Sequence, residues 1–258
     1  MIFRRIAQSI RRQDWAVVLI ELLVLVVGIY LGLQVDNWNQ DRLAHANAKA
    51  YYARLMEDLR FEEMSRQKRV EYLEQVKAHG EAALYVLDSA GAEKGEQFLV
   101  DLYQASQIWH YSPQRTTYDE LLSGSIANAI PDEDVRAALA NYYVGLSNSQ
   151  LIQQERVAYR ERLRTHMPHA VQSAIRENCG DIYEFVGGAM STISLPESCE
   201  LGLSQEAVDN AIASLADYRE LHQDLTRNLA DLEVKLRNLN SFLGPTREIG
   251  SMLREKSL

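Results

Sequence analysis

A run of 21 residues from Trp15 to Val35 restricts the fold of this chain more than any other feature, because only Glu21 and Gln34 in it are strongly polar. A helix rises about 1.5 Å per residue, so a run of this length reaches across a hydrocarbon core of about 30 Å. A cleaved signal peptide has a shorter apolar region and a small-residue cleavage site, whereas this run passes directly into Asp36. A buried core helix is disfavoured because the run has almost no polar face. We therefore expect a retained transmembrane helix over residues 15–35.

Basic residues flank this run unequally. Residues 1–14 contain four arginines, while residues 36–50 contain only Arg42 and Lys49. The side of a transmembrane helix that is richer in Lys and Arg stays in the cytoplasm. The sequence therefore predicts a cytoplasmic segment over residues 1–14 and an extracytoplasmic domain over residues 36–258. Aromatic and polar residues near the ends of the run are predicted to lie at the membrane interfaces; they are Trp15, Gln34, Asn37, Trp38 and Asn39.

The chain after the apolar run is acidic. Residues 36–258 contain 23 basic and 34 acidic residues, which gives a net charge of −11. Nucleic acid is therefore disfavoured as a partner, because its binding depends on neutralising phosphates. The same charge is unsuited to a domain that lies flat on anionic lipid, so we expect this domain to stand in water.

One face of the predicted membrane helix combines an acid with two glycines. At 100° per residue, Gly28 and Gly32 lie within about 20° of Glu21 on the helix surface. An ionisable group in the bilayer usually faces protein or water, and a Gly-x-x-x-Gly pair lets two helices approach closely. We expect this face to pack against a second copy of the chain or another membrane protein. The alternatives are that Glu21 snorkels to the cytoplasmic interface, or that it belongs to a proton or ion pathway.

The two cysteines, Cys179 and Cys199, flank a stretch that contains glycine and proline and is expected to be a loop between helices. A disulfide between them would order this loop and would suit an oxidising compartment. Two buried free thiols are the alternative.

Long stretches without turn signals predict an all-α chain. No breaker follows Trp38 until Gly80, so the membrane helix is expected to continue into the outer domain as one rod. Thr117, with Glu120 three residues later, is typical of a capping box. Pro131-Asp132 and Ser204 are expected to open further helices.

Leucines near the end of the chain follow one another in alternating steps of four and three residues, at positions 225, 229, 232, 236, 239 and 243. This spacing predicts a narrow packing seam within the chain, and packing between copies is the alternative. Gly244-Pro245 is expected to end the helix. The predicted fold is thus a single N-terminal transmembrane helix that continues into an extracytoplasmic antiparallel helical bundle.

Residues 28–40, GIYLGLQVDNWNQ, resemble the signature of an uncharacterised bacterial family of single-span membrane proteins. The chain departs from the family pattern at Gly32, Asp36 and Gln40. Residues 117–124, TYDELLSG, also resemble the middle of that family's sequences. The resemblance implies a bacterial inner membrane and no activity. Together with the orientation predicted from the flanking arginines, it places the C-terminal domain in the periplasm.

Catalytic and metal-binding patterns are weak in this sequence. Asp119 and Glu120 are adjacent acids, but a first helical turn favours acids without any catalytic role. His166 and His169 form a close pair, but Pro168 breaks the register that would point both rings one way. We therefore expect no enzyme, no cofactor and no metal. The predicted function is a membrane-anchored interaction or scaffold protein, and the alternative is an extracytoplasmic ligand-binding or sensor subunit that acts through a separate membrane partner.

Overall fold

The computed structural model describes residues 15–124, 126–186, 189–196 and 199–257. Helices account for most of this part of the chain, which confirms the all-α prediction at the level of class. The helices are α1 Trp15–Asp88, α2 Glu96–Gln104, α3 Thr116–Ser123, α4 Ile126–Ala129, α5 Glu133–Gln153, α6 Ala158–His166, α7 His169–Asn178, α8 Gln205–Ala216, α9 Leu221–Ser241 and α10 Leu243–Ser257. Strands β1 Ile182–Val186 and β2 Ala189–Ser194 form an antiparallel hairpin.

The apolar run and the residues that follow it form one continuous helix, as the sequence predicts. Helix α1 has 74 residues, which corresponds to a rod about 110 Å long. Its first buried residue in the described part is Ala48, so a stretch of exposed helix separates the apolar run from the packed domain. The rod ends at Asp88, and Gly91 follows in the left-handed region with φ +86°.

A buried seam runs along α1 from Ala48 to Ala83 in alternating steps of four and three residues. This period of 3.5 residues keeps one side of the helix turned toward its neighbours. The middle of the seam is charged, whereas both ends are apolar. Its members are Ala48, Tyr52, Leu55, Leu59, Glu62, Arg66, Arg69, Leu73, Val76, Gly80 and Ala83.

Helices α9 and α10 pack along this seam in the opposite direction to α1. Asp88 near the end of α1 pairs with His222, while Glu63 pairs with Arg247 further along the chain. The leucine seam of α9 is buried against α1, which agrees with the expected packing within the chain. Gly80 permits a close approach, because a Cβ added there would lie 2.8 Å from Leu229 Cδ2.

Two predicted helix boundaries are wrong. Helix α9 ends at Ser241, with Phe242 as its C-cap, and α10 begins at the next residue, Leu243. Gly244 and Pro245 therefore lie inside α10 and do not end the helical region. Proline is tolerated in the first turn of a helix, where its missing N–H has no partner to lose. Thr117 forms no capping box, since the N-cap of α3 is Arg115 and its side chain makes no capping hydrogen bond. The predicted caps Asp132 and Ser204 do accept backbone N–H groups of α5 and α8.

The stretch between the cysteines contains the β-hairpin rather than only a loop. Cys179 and Cys199 are joined by a disulfide, with their Cα atoms 5.4 Å apart. Strand β2 packs on α1, and Ile193 and Leu195 are buried in the same cluster as Tyr72. The hairpin is thereby held to the rod at one strand, while β1 lies further out.

Candidate functional site

The N-terminal part of α1 is long and apolar enough to cross a membrane. The large apolar side chains between Leu19 and Val35 are 45–64% exposed, and no part of the described domain covers them. An exposed apolar surface of this extent marks contact with lipid or with another protein. The coarse prediction of a spanning helix near the N-terminus is therefore supported by the structure.

Glu21, Gly28 and Gly32 lie on this uncovered part of α1. A Cβ added at Gly28 or Gly32 would meet nothing within 4 Å, so the notch between the two glycines is open. Glu21 Oε2 is shielded from solvent but has no hydrogen-bond partner among the described residues. We call these three residues the membrane face. The single chain leaves this face without a packing partner in its described part.

The predicted interfacial residues are all exposed on α1. Trp15 and Trp38 are 68% and 66% exposed, and the 23 helical steps from one to the other correspond to about 35 Å along the helix axis. The Arg42 guanidinium lies 5.7 Å from the centre of the Trp38 ring, and Arg42 Nη2 donates to Asn39 Oδ1 at 3.4 Å. These contacts lie just beyond the apolar run, where amphipathic side chains favour the interface.

A group of charged residues that the sequence did not reveal lies in and beside the middle of the α1 seam. They bind residues 109–115 of the irregular segment that connects α2 to α3, and the first turn of α3. At one end of the group, Asp58 Oδ2 accepts the Thr117 backbone N–H at 3.0 Å. This contact supplies the cap that the Thr117 side chain does not. We call the group the charged row; its members are Asp58, Glu62, Arg66 and Arg69.

A buried ion pair forms the centre of the charged row. Arg66 Nε lies 2.6 Å from Glu62 Oε1, and neither side chain is more than 1% exposed. The Tyr111 hydroxyl donates to Glu62, and Arg66 also donates to Ser149 Oγ at 3.2 Å and to the Leu239 carbonyl at 3.5 Å. Burial, and then the charge of Glu62, raise the pKa of Tyr111 well above its ordinary value. The pair joins α1 to α5, to α9 and to the connecting segment.

Arg69 holds the other end of that segment. Its Nη1 donates to the carbonyls of Trp109 at 3.2 Å and His110 at 2.7 Å, and its guanidinium lies 4.3 Å from the centre of the Trp109 ring. Burial lowers the pKa of Arg69 to about 10. Positions 62, 66 and 69 follow the same spacing of four and three residues as the apolar positions of the seam. This spacing would locate the group if charged residues were counted among the buried positions.

The arrangement around the charged row positions chain segments rather than a substrate. The cavity beside Trp109, His110 and Lys235 has a volume of about 40 Å³, which holds no more than a few water molecules. Its size is well below that of a small-molecule site.

Asp119, Glu120 and His166, which were considered for chemistry, make structural contacts. Asp119 pairs with Arg115 at 2.8 Å, and Glu120 pairs with Arg54. His166 Nδ1 lies 2.9 Å from the Arg162 carbonyl oxygen. Within the described ranges, no three His, Cys, Asp or Glu side chains are grouped as metal ligands would be.

Comparisons of the chain with protein families, with curated proteins and with solved structures found no match.

Proposed function

We propose that this chain is a membrane-anchored, non-enzymatic interaction or scaffold protein that assembles through its transmembrane helix. In this proposal residues 15–35 span a bacterial inner membrane, residues 1–14 lie in the cytoplasm, and residues 36–258 form an antiparallel helical bundle in the periplasm. The resemblance of residues 28–40 to a family of single-span membrane proteins supports this setting.

The membrane face carries the proposal. Glu21 has a shielded carboxylate oxygen without a partner in the described chain, and the notch at Gly28 and Gly32 is open. In lipid, an unsatisfied polar group is costly, and small residues let a second backbone approach closely. A helix from a second copy would fill the notch and supply a hydrogen-bond partner for Glu21.

A ligand-binding or sensor subunit is the weaker candidate. The cavity of about 40 Å³ near Trp109 is too small for an organic ligand. A larger cleft of about 420 Å³ lies between α1 and α10, but half of its lining residues are charged, whereas small-molecule sites are mostly apolar. The charged row joins α1 firmly to its neighbours, which suits a rigid support.

The orientation depends on the four arginines before the anchor. A reporter that works only outside the cytoplasm should be active when fused after Leu258 and inactive when fused before Trp15. The opposite pattern would contradict the proposed topology, and it would leave the assembly question open to the test that follows.

Assembly is tested by photocrosslinking in native membranes. A photoreactive residue at position 28 or 32 should give a dimer, because both positions lie on the membrane face. Positions 26 and 30 are the matched controls, since two residues correspond to a rotation of about 200° and place them on the far side of the helix. Equal yields at all four positions would contradict assembly through this face.

A further inference from the structure

Three arginine side chains meet on the outer domain, far along the rod from the anchor. Arg160 and Arg164 lie on α6, and Arg176 lies on α7. The Arg164 guanidinium lies 4.3 Å from the centre of the Tyr103 ring, and Arg176 Nη1 lies 3.5 Å from the hydroxyl oxygen of the same tyrosine. We call these three residues the arginine cluster.

The arginine cluster binds neutral acceptors only, within the described ranges. Arg160 Nη1 donates to the Ser106 carbonyl at 2.6 Å, and Arg164 Nη2 donates to Gln107 Oε1 at 3.0 Å. Each guanidinium has five N–H donors, so several remain for another ligand.

The arginine cluster places three positive charges side by side. In the described part of the chain, no carboxylate lies within 4.0 Å of its guanidinium nitrogens, although the domain is strongly acidic. Other arginines do form such pairs; examples are Arg54–Glu120, Arg115–Asp119, Arg156–Glu161, Arg162–Asp224 and Arg247–Glu63.

Burial and mutual repulsion disfavour the positive charges of the cluster. Burial, and then the positive charge of Arg160, lower the pKa of Arg164 to about 10. Burial also lowers the pKa of Arg160. The negative charge of Asp181 raises the pKa of both arginines. Its carboxylate, however, accepts hydrogen bonds from the hydroxyls of Tyr72 and Tyr183 and not from the arginines. A further negative charge would offset the remaining repulsion.

Strand β1 begins directly after Asp181, and it is the outer strand of the hairpin. Its pairing partner in the described structure is β2, which itself packs on α1. The side chains of Ile182, Tyr183 and Phe185 are 48%, 52% and 65% exposed. An exposed strand with apolar side chains offers backbone groups for the addition of another strand.

We propose that β1 and the arginine cluster together bind an extended, acidic segment of a partner protein. The segment would pair with the outer edge of β1 and place its carboxylates against the guanidinium groups. Lipid is disfavoured as the source of the anion, because Tyr72, which touches this site, lies 34 residues beyond Trp38 on α1. That separation corresponds to about 50 Å along the helix. This site is separate from the membrane face.

The test measures binding of a fluorescent Glu-Val-Glu-Val-Glu-Val peptide to the full-length protein in nanodiscs of zwitterionic lipid. The peptide should bind, and its counterpart with glutamine in place of glutamate should bind at least about tenfold more weakly, because charged hydrogen bonds are lost. Arg176→Glu should weaken binding of the acidic peptide by a similar factor. Phe185→Ser, at an exposed position, should weaken it severalfold.

Arg219→Glu is the matched control, because Arg219 is exposed and lies outside the cluster. It changes the net charge by the same amount as Arg176→Glu and should leave binding unchanged. The proposal is wrong if the acidic peptide fails to bind, if both peptides bind equally, or if Arg219→Glu weakens binding as much as Arg176→Glu. The proposal is also wrong if the site binds inorganic phosphate but not the acidic peptide, or if it binds only anionic lipid supplied in nanodiscs. Crosslinking at the membrane face has no bearing on any of these results.

Discussion

Replacing Arg66 with methionine should be among the most destabilising single changes in the charged row. Arg66 is fully buried, and it contacts Glu62, Tyr111, Ser149 and the backbone of Leu239. Methionine fills much of the same space but leaves the Glu62 carboxylate buried without its counter-ion. Loss of one partner of a buried ion pair costs about 3–5 kcal/mol.

Such a loss is large for a protein whose total stability is about 5–15 kcal/mol. For a domain of this size, each kcal/mol lowers Tm by about 2–4 °C, so we expect a fall of about 6–20 °C. The full-length protein in detergent would be followed by near-ultraviolet circular dichroism during heating. Adding Glu62→Gln to Arg66→Met should restore part of the loss, because the double variant no longer buries an unpaired charge.

Arg54→Met provides the control for this experiment. Arg54 and Glu120 form an ion pair whose side chains are 47% and 45% exposed, and exposed pairs contribute about 0–1 kcal/mol. If Arg66→Met costs no more than Arg54→Met, or if Glu62→Gln fails to restore stability, the charged row does not hold the domain together as described.

Three further changes test the fold at separate places. Removing the disulfide with Cys179→Ser and Cys199→Ser should lower stability by about 3 kcal/mol, because the closed loop has about 20 residues; mass spectrometry that finds two free thiols in the native protein would contradict this. Gly80→Val should cost about 1–3 kcal/mol of stability, because the added side chain overpacks against α9. Gly250→Val is the control, because a Cβ at Gly250 meets nothing within 4 Å. Equal Tm values for the two variants would refute the close approach of α1 and α9 at Gly80. Hydrogen bonds from Lys256 and from the Val135 backbone N–H hold the pKa of Asp132 below its ordinary value. The contribution of Asp132 to folding stability is therefore present above about pH 4 and is lost as the pH falls. Asp132→Ala should therefore lower Tm at neutral pH, by an amount equivalent to about 1 kcal/mol, and much less at pH 2; a loss of equal size at both pH values would contradict this.

The sequence predicts those parts of the fold that depend on local pattern. The apolar run, the continuous rod and the leucine seam follow from hydropathy and from periods of 3.5 or 3.6 residues. Asp132 and Ser204 are found as caps because each bonds a backbone N–H of its own helix. Such signals lie within a few residues of one another.

The errors arise where distant residues decide the local structure. Thr117 is capped by Asp58 from another helix, which no local motif reveals. The charged row was missed because Glu62, Arg66 and Arg69 occupy positions at which apolar residues are normally sought. Their burial depends on partners 40 or more residues away in the chain.

The hairpin and the start of α10 are also decided by residues that a local sequence pattern does not include. Strand β2 is stabilised by packing on α1, which the sequence between the cysteines does not contain. Pro245 reads locally as a helix stop, but it lies near the beginning of a new helix rather than after the end of the old one. The membrane face, in contrast, could be located from spacing alone, because its three residues share one side of a regular helix.

Assembly through the membrane face is tested most directly by energy transfer between labelled chains in liposomes. Gly28→Leu and Gly32→Leu should abolish transfer while insertion stays intact, since leucine is at least as favourable as glycine in a membrane helix. Val26→Leu on the opposite side is the matched control and should leave transfer unchanged. Glu21→Leu should weaken transfer by removing a hydrogen bond between helices, and Glu21→Gln should preserve it. Transfer that is equal in the native chain and in all these variants would contradict the proposed assembly and would assign any self-association to the outer domain.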